Sequence, residues 1–145
     1  MIRRIAEKED YPVLQDLWER SVIATHDFLS EEDRKQIKSN LPQAFEQVAV
    51  TLWYDYDKLV GFTGTYNGKL EMFFLEPSLR QQGFGSMILT ELMKVENIHS
   101  VDVNTQNHSA LTFYLRRGFE IDFEEAFDDQ GRPYPITHLK WPEKG

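Results

Sequence analysis

The chain has 145 residues, 41% of them apolar, which is enough for one domain with one core and too few for two independent ones. Sixteen lysines and arginines stand against 24 aspartates and glutamates, and a net charge of −8 opposes a general nucleic-acid binder, which needs a positive field. The absence of cysteine removes disulfides, thiolate nucleophiles and Cys-based metal sites. The stretch Met1-Ile2-Arg3-Arg4 turns polar too soon for a signal peptide, and no apolar run nears the ~20 residues that cross a bilayer. The expectation is a cytoplasmic protein with no membrane partner.

A first strand is expected over Ile2–Ala6. Pro12 then sits in a first helical turn, and Leu14, Leu17, Trp18 and Val22 form one face of an amphipathic helix that opens near Asp10 or Tyr11. Ser30 followed by Asp33 reads as the N-cap of a second, more polar helix ending around Leu41-Pro42, with Glu31, Glu32 and Asp33 as a solvated face. Val48–Tyr54 and Leu59–Tyr66 are rich in β-branched and aromatic residues and flank a turn at Asp55–Lys58. Asn67-Gly68 supplies the positive φ angles of a type I′ hairpin leading into Lys69–Leu75, so the three runs form an antiparallel meander.

After Pro77 a glycine-bearing loop precedes Met87, Ile88, Leu89, Leu92 and Met93 at helical spacing. Ser100–Val103 is a strand, Ser109–Arg117 a helix stopped at Gly118, and Phe119–Glu125 and Pro135–Trp141 are strands joined through Asp128–Pro133. The order βααβββαβαββ predicts a mixed α/β (α+β) sheet covered by helices on both sides.

The loop Arg80-Gln81-Gln82-Gly83-Phe84-Gly85-Ser86 lies between a strand and a helix N-terminus, where unpaired N–H groups and the positive helix end suit a phosphate. It is neither a Rossmann loop, lacking the third glycine, nor a Walker loop, lacking Gly-Lys-Ser/Thr. On the glycines alone, an ordinary strand-to-helix turn fits as well. The four histidines are scattered without the i, i+4 pairing of a zinc helix, and no G-x-S-x-G elbow is present, so no metal is expected.

Phe73-Phe74-Leu75-Glu76-Pro77-x-x-Arg80-x-x-Gly83-x-Gly85 resembles motif A of the GNAT superfamily of N-acetyltransferases. Val103-Asn104-x-x-Asn107 and Ala110-Leu111-x-Phe113-Tyr114-x-x-x-Gly118-Phe119 resemble its motif B, in the right order and spacing. At the edges, Ala24–Ser30 and Gly131–Pro135 look like the YjaB-type bacterial members. The resemblance implies the GNAT fold over residues 1–145 as a single domain: one mixed, mostly antiparallel, splayed sheet of six or seven strands with about four helices. It implies acetyl-CoA as cosubstrate and a small-molecule or peptide amine as acceptor. A non-catalytic acyl-CoA-binding module is the alternative, and a homodimer is left open.

By the same resemblance, Gln81, Gln82, Gly83, Phe84, Gly85 and Ser86 cradle the CoA pyrophosphate. Gln81 and Gln82 stand where members often carry Arg or Lys. The backbone of Phe73, Phe74 and Leu75 pairs with the pantetheine arm, and Asn107 contacts that arm or serves as a helix cap. Tyr114 is expected to protonate the departing thiolate, with a packing aromatic as the plainer reading. For the amine proton, Glu71 ranks first, because its two-residue spacing puts it on the strand face of Phe73. His26 ranks second and Asp102 third. The acceptor is expected to enter between the His26–Phe28 loop and the Tyr134 loop.

Overall fold

The computed structural model describes residues 1–142, so the last three residues of the domain expected over 1–145 lie outside it. In chain order the elements are β1 (Ile2–Ile5), α1 (Tyr11–Thr25), α2 (Glu31–Phe45), β2 (Ala49–Asp55), β3 (Lys58–Tyr66), β4 (Lys69–Leu75), α3 (Phe84–Val95), β5 (Ser100–Asn104), α4 (His108–Arg116), β6 (Glu120–Glu125) and β7 (Ile136–Lys140). This is the expected order. The strands make one seven-stranded sheet, β1-β2-β3-β4-β5-β7-β6, antiparallel except at β4–β5. No helix among the described residues is long and apolar enough to cross a membrane.

Two apolar clusters sit on opposite faces of the sheet. Leu14, Leu17, Trp18 and Val22 of α1 meet Leu41 and Phe45 of α2 and Val50, Leu52 and Phe62 of β2–β3. On the other face Ile88, Leu89 and Leu92 of α3 and Tyr114 of α4 pack on Leu70, Val101, Val103 and Leu139. The predicted helical spacings therefore do point inward, because each helix buries one stripe against the pleated surface.

Helix α2 runs to Phe45 instead of stopping at Leu41-Pro42. Pro42 has no N–H for the carbonyl of Lys38, but Gln15 Nε2 of α1 donates to that carbonyl at 2.8 Å. With that group satisfied, the helix gains another turn and buries Phe45, whose ring meets Phe62 edge-on at 5.7 Å. The β2–β3 turn is also shorter than expected. Asp55 pairs with Lys58, which leaves only Tyr56-Asp57 in the turn, with Tyr56 at φ 56°. Asn67 and Gly68, at φ 49° and 77°, form the expected hairpin turn.

The parallel pair is what opens the sheet. Strands β4 and β5 are in register only at Lys69–Ser100 and Leu70–Val101, and beyond that point they splay. Along β3, Thr65 pairs with Leu70 and Gly64 with Met72, so Glu71 is an extra residue, a β-bulge. The bulge reverses the side-chain phase of β4. Leu70, Phe73 and Leu75 belong to the α3–α4 cluster, whereas Met72 and Phe74 face the α1–α2 cluster. Two-residue spacing thus fails across the bulge, and Glu71 does not share the face of Phe73.

Candidate active site

The splay holds a cavity of about 410 Å³ that runs from the loop before α3 to the end of α1. Strand β4 lines it with Phe73, Phe74 and Leu75, the loop with Arg80, Gln81, Gly83, Gly85 and Ser86, and α4 with Asn107, Ser109, Ala110, Phe113 and Tyr114. Helix α1 closes it with Ser21, Thr25 and His26. Residues from three separate parts of the sequence meet here, the two motifs and the end of α1.

At the loop end the wall is made of backbone. Gly83 has φ 87°, and a Cβ added there meets nothing within 4 Å, so the space it would fill lies open toward a ligand. Gly83 precedes Phe84 as the N-cap of α3 and offers no side-chain cap, which leaves the first-turn N–H groups for an anion. Arg80 lines the same end, 3.5 Å from Ser109 Oγ, and restores the positive charge that Gln81 and Gln82 lack. Its place in the motif is readable, but the motif alone gives it no binding role. Gln82 and Phe84 are not in the cavity wall. The amide of Gln82 donates to the Ser78 carbonyl at 3.5 Å, and Phe84 packs on the α3–α4 cluster.

From Glu71 onward, the side of β4 that faces β5 has no strand partner among the described residues. Main-chain groups of Phe73–Leu75 are therefore free for an extended ligand arm. A flat strip beside an anion cradle fits acetyl-CoA. Asn107 is the helix cap: its Oδ1 accepts from Ala110 N–H at 3.3 Å at the start of α4, and the residue also lines the cavity.

Tyr114 is held by edge-on contacts with Phe113 at 5.2 Å and Phe119 at 5.8 Å. Burial keeps its phenol well above the usual tyrosine range, so it carries its proton throughout the physiological range.

The three residues ranked for the amine proton separate in space. Glu71 and Asp102 do not line the cavity. Lys69 Nζ sits 2.5 Å from Asp102 Oδ2 and 3.6 Å from Glu71 Oε1. Burial opposes the charge on Lys69, but its hydrogen bond to Asp102 and the charges of both carboxylates hold its pKa above the ordinary value. The other Asp102 oxygen lies 2.5 Å from His138 Nδ1, and Glu125 lies 2.6 Å from His138 Nε2, with Phe123 stacked on the ring at 4.1 Å. Asp102 and Glu125 are occupied by neighbours on adjacent strands, and Glu71 faces Lys69 of its own strand.

His26 lies in the cavity wall. Burial first, and the positive Arg80 second, lower its pKa to about 4, with Asp27 opposing, so the ring is neutral at pH 7. Phe28 stands 5.1 Å from His26 and 6.1 Å from Tyr134. The Tyr134 hydroxyl donates to Asp33 Oδ2 at 2.5 Å and accepts from Ser30 N–H at 3.3 Å. Asp33 is therefore an anchor in addition to a member of the first turn, where its N–H donates to Ser30 Oγ. These contacts join the two loops.

The Acetyltransferase (GNAT) domain family matches residues 14–135. The chain is 36% identical to the peptidyl-lysine N-acetyltransferase YjaB of Salmonella typhimurium strain LT2, over 97% of each chain. The solution structure of the apo form of YjaB from Escherichia coli superposes with a TM-score of 0.86, at 30% identity over 99% of this chain and 100% of that one. The PaiA N-acetyltransferase of Thermoplasma acidophilum, solved in complex with coenzyme A, has the same fold, with a TM-score of 0.67 at 22% identity over 97% of this chain and 100% of that one. With the anion cradle, the free strand edge and the buried tyrosine in place, these matches establish that the chain belongs to the GNAT family of acetyl-CoA-dependent N-acetyltransferases.

Proposed function

We propose that this acetyltransferase works in the cytoplasm on the side-chain amine of lysine in peptides or proteins, with His26 as proton acceptor and Tyr114 as general acid. The observation that carries the proposal is the single cavity joining the glycine loop, Tyr114 and His26. The named relative acts on peptidyl-lysine, and the net charge of −8 favours a cationic acceptor.

The acceptor enters as an ammonium and must shed a proton to water before attack. The amine nitrogen then bonds to the thioester carbonyl carbon while the carbon–sulfur bond breaks. The Tyr114 phenol gives its proton to sulfur, the nitrogen gives one to His26, and solvent returns that proton to the phenolate. Backbone N–H groups at Gly83–Ser86 and the Arg80 guanidinium hold the pyrophosphate. That anion offsets the charge of Arg80 and removes part of what depresses His26, so the imidazole becomes a stronger base once the cosubstrate is bound. Glu71 and Asp102, tied to Lys69 and His138, serve the sheet at the vertex of the splay.

The test is acetylation of a blocked peptide whose only amine is a lysine side chain, run beside polyamines, aminoglycosides and free amino acids. CoA release and a mass gain on the lysine are expected. Turnover with a polyamine and none with the peptide would reject the lysine assignment.

A further inference from the structure

We infer that Thr25 is a positioning residue for the acetyl transfer, fixing the His26 tautomer so that Nε2 is the bare, proton-accepting nitrogen. The inference rests on the reading of His26 as proton acceptor. It follows from hydrogen-bond arithmetic in the last turn of α1. Thr25 Oγ1 lies 2.8 Å from the Ser21 carbonyl oxygen and 2.6 Å from His26 Nδ1. A carbonyl oxygen only accepts, so the single hydroxyl proton of Thr25 goes to Ser21. The contact with His26 is then satisfied only if Nδ1–H donates to Oγ1. A neutral imidazole has one N–H, and with Nδ1 protonated the lone pair resides on Nε2.

Local geometry leaves little freedom to escape this arrangement. Donation of a threonine hydroxyl to the carbonyl four residues back is the ordinary habit of the residue inside a helix. The His26 main-chain N–H caps α1 by donating to Val22 O at 2.7 Å, which fixes where the side chain starts. The ring lies tilted against Phe28, with centroids 5.1 Å apart, and the charged groups acting on it are Arg80 from the glycine loop and Asp27 from its own loop. Ser21, Thr25 and His26 all line the cavity, so the chain of bonds ends at the place where an amine would arrive. When Nε2 takes a proton from the amine nitrogen, one N–H bond breaks and one forms. The ring becomes an imidazolium whose Nδ1–H still donates to Thr25, so the transfer needs no rearrangement.

Thr25→Val keeps the shape and deletes the hydroxyl, while Thr25→Ser keeps the hydroxyl. Ring nitrogen NMR spectra of His26 in the free enzyme at pH 7 should show the Nδ1–H form in wild type and in Thr25→Ser, and a mixture in Thr25→Val. With the blocked lysine peptide, kcat should fall about 3- to 10-fold in Thr25→Val with an unchanged KM for acetyl-CoA, and Thr25→Ser should restore it. A wild-type ring carrying its proton on Nε2, or a valine variant with full kcat, overturns the inference. A wild-type enzyme that leaves the peptide untouched instead overturns the proposed function, and the ring spectra still decide whether Thr25 sets the tautomer.

Discussion

At the glycine-loop end of the cavity the ligand-facing groups are mostly main chain: the N–H groups that open α3 and the free edge of β4. At the α1 end they are side chains, His26 with Thr25 behind it, while the contact of Phe28 with Tyr134 lies behind His26, outside the cavity wall. The first end is made by one continuous run, Phe73–Ser86, whereas the loop that carries His26 is held behind the second end by a bond between residues more than 100 positions apart, Tyr134 and Asp33. Main-chain sites tolerate many side chains but need particular backbone angles, so they leave short, strong motifs. Side-chain sites depend on which loops meet, and they vary with the acceptor. A shared cosubstrate and a private acceptor are what such a division allows.

The largest effect should come where the two ends meet. Tyr114→Phe deletes the acid and keeps the ring between Phe113 and Phe119, so kcat should drop by roughly 10²- to 10³-fold. Acetyl-CoA affinity measured by calorimetry should stay within a factor of about two of wild type. A rate loss below about threefold would make Tyr114 a packing residue.

Gly83→Val probes the main-chain end. The added side chain projects into open space, so the clash is with the ligand, and acetyl-CoA should bind at least about 10-fold more weakly. The positive φ also strains valine by about 1–2 kcal/mol, which a thermal melt should register while the fold survives. Unchanged affinity in a folded variant would remove the cradle.

Tyr134→Phe tests the other end alone. Without its hydroxyl, Asp33 and the Ser30 N–H lose this partner, and the Tyr134 loop is held by ring contact with Phe28 and by Arg132 on Asp33 and Gln36. The peptide KM should rise several-fold and acetyl-CoA affinity should not change. Equal losses on both substrates would mean that the ends are not independent.

The smallest effect is on pH dependence. His26 is near 4 when folded and has the ordinary 6.5 when unfolded, so the unfolded chain binds more protons between these values. Stability from this group is complete above pH 6.5 and is lost as pH falls toward 4, on the order of 1–3 kcal/mol. Denaturant melts at pH 7 and 4.5 should show that slope in wild type and a shallower one in His26→Gln. Arg80→Gln should move the midpoint upward, because one of the two lowering influences is gone.

Element order and both core faces follow from the sequence because apolar spacing, caps and hairpin turns are local properties: Ser30 capping Asp33, Asn67-Gly68 turning, and Leu14, Leu17 and Trp18 sharing a stripe. The meeting of the glycine loop and Tyr114 in one cavity was legible for the same reason, both being carried by short runs of fixed spacing. Three features depended on distant atoms. Helix α2 continues past Pro42 because Gln15, on another helix, satisfies Lys38. The bulge at Glu71 follows from the register with β3, and it turned the first-ranked carboxylate away from the face of Phe73. The role proposed for His26 rests on burial and the sequence-distant Arg80, which lower its proton affinity, and on Thr25, whose hydroxyl donates to the Ser21 carbonyl. Local spacing determines what a segment becomes, whereas proton affinity depends on solvent exclusion and on the charges brought near, and only the folded chain sets those.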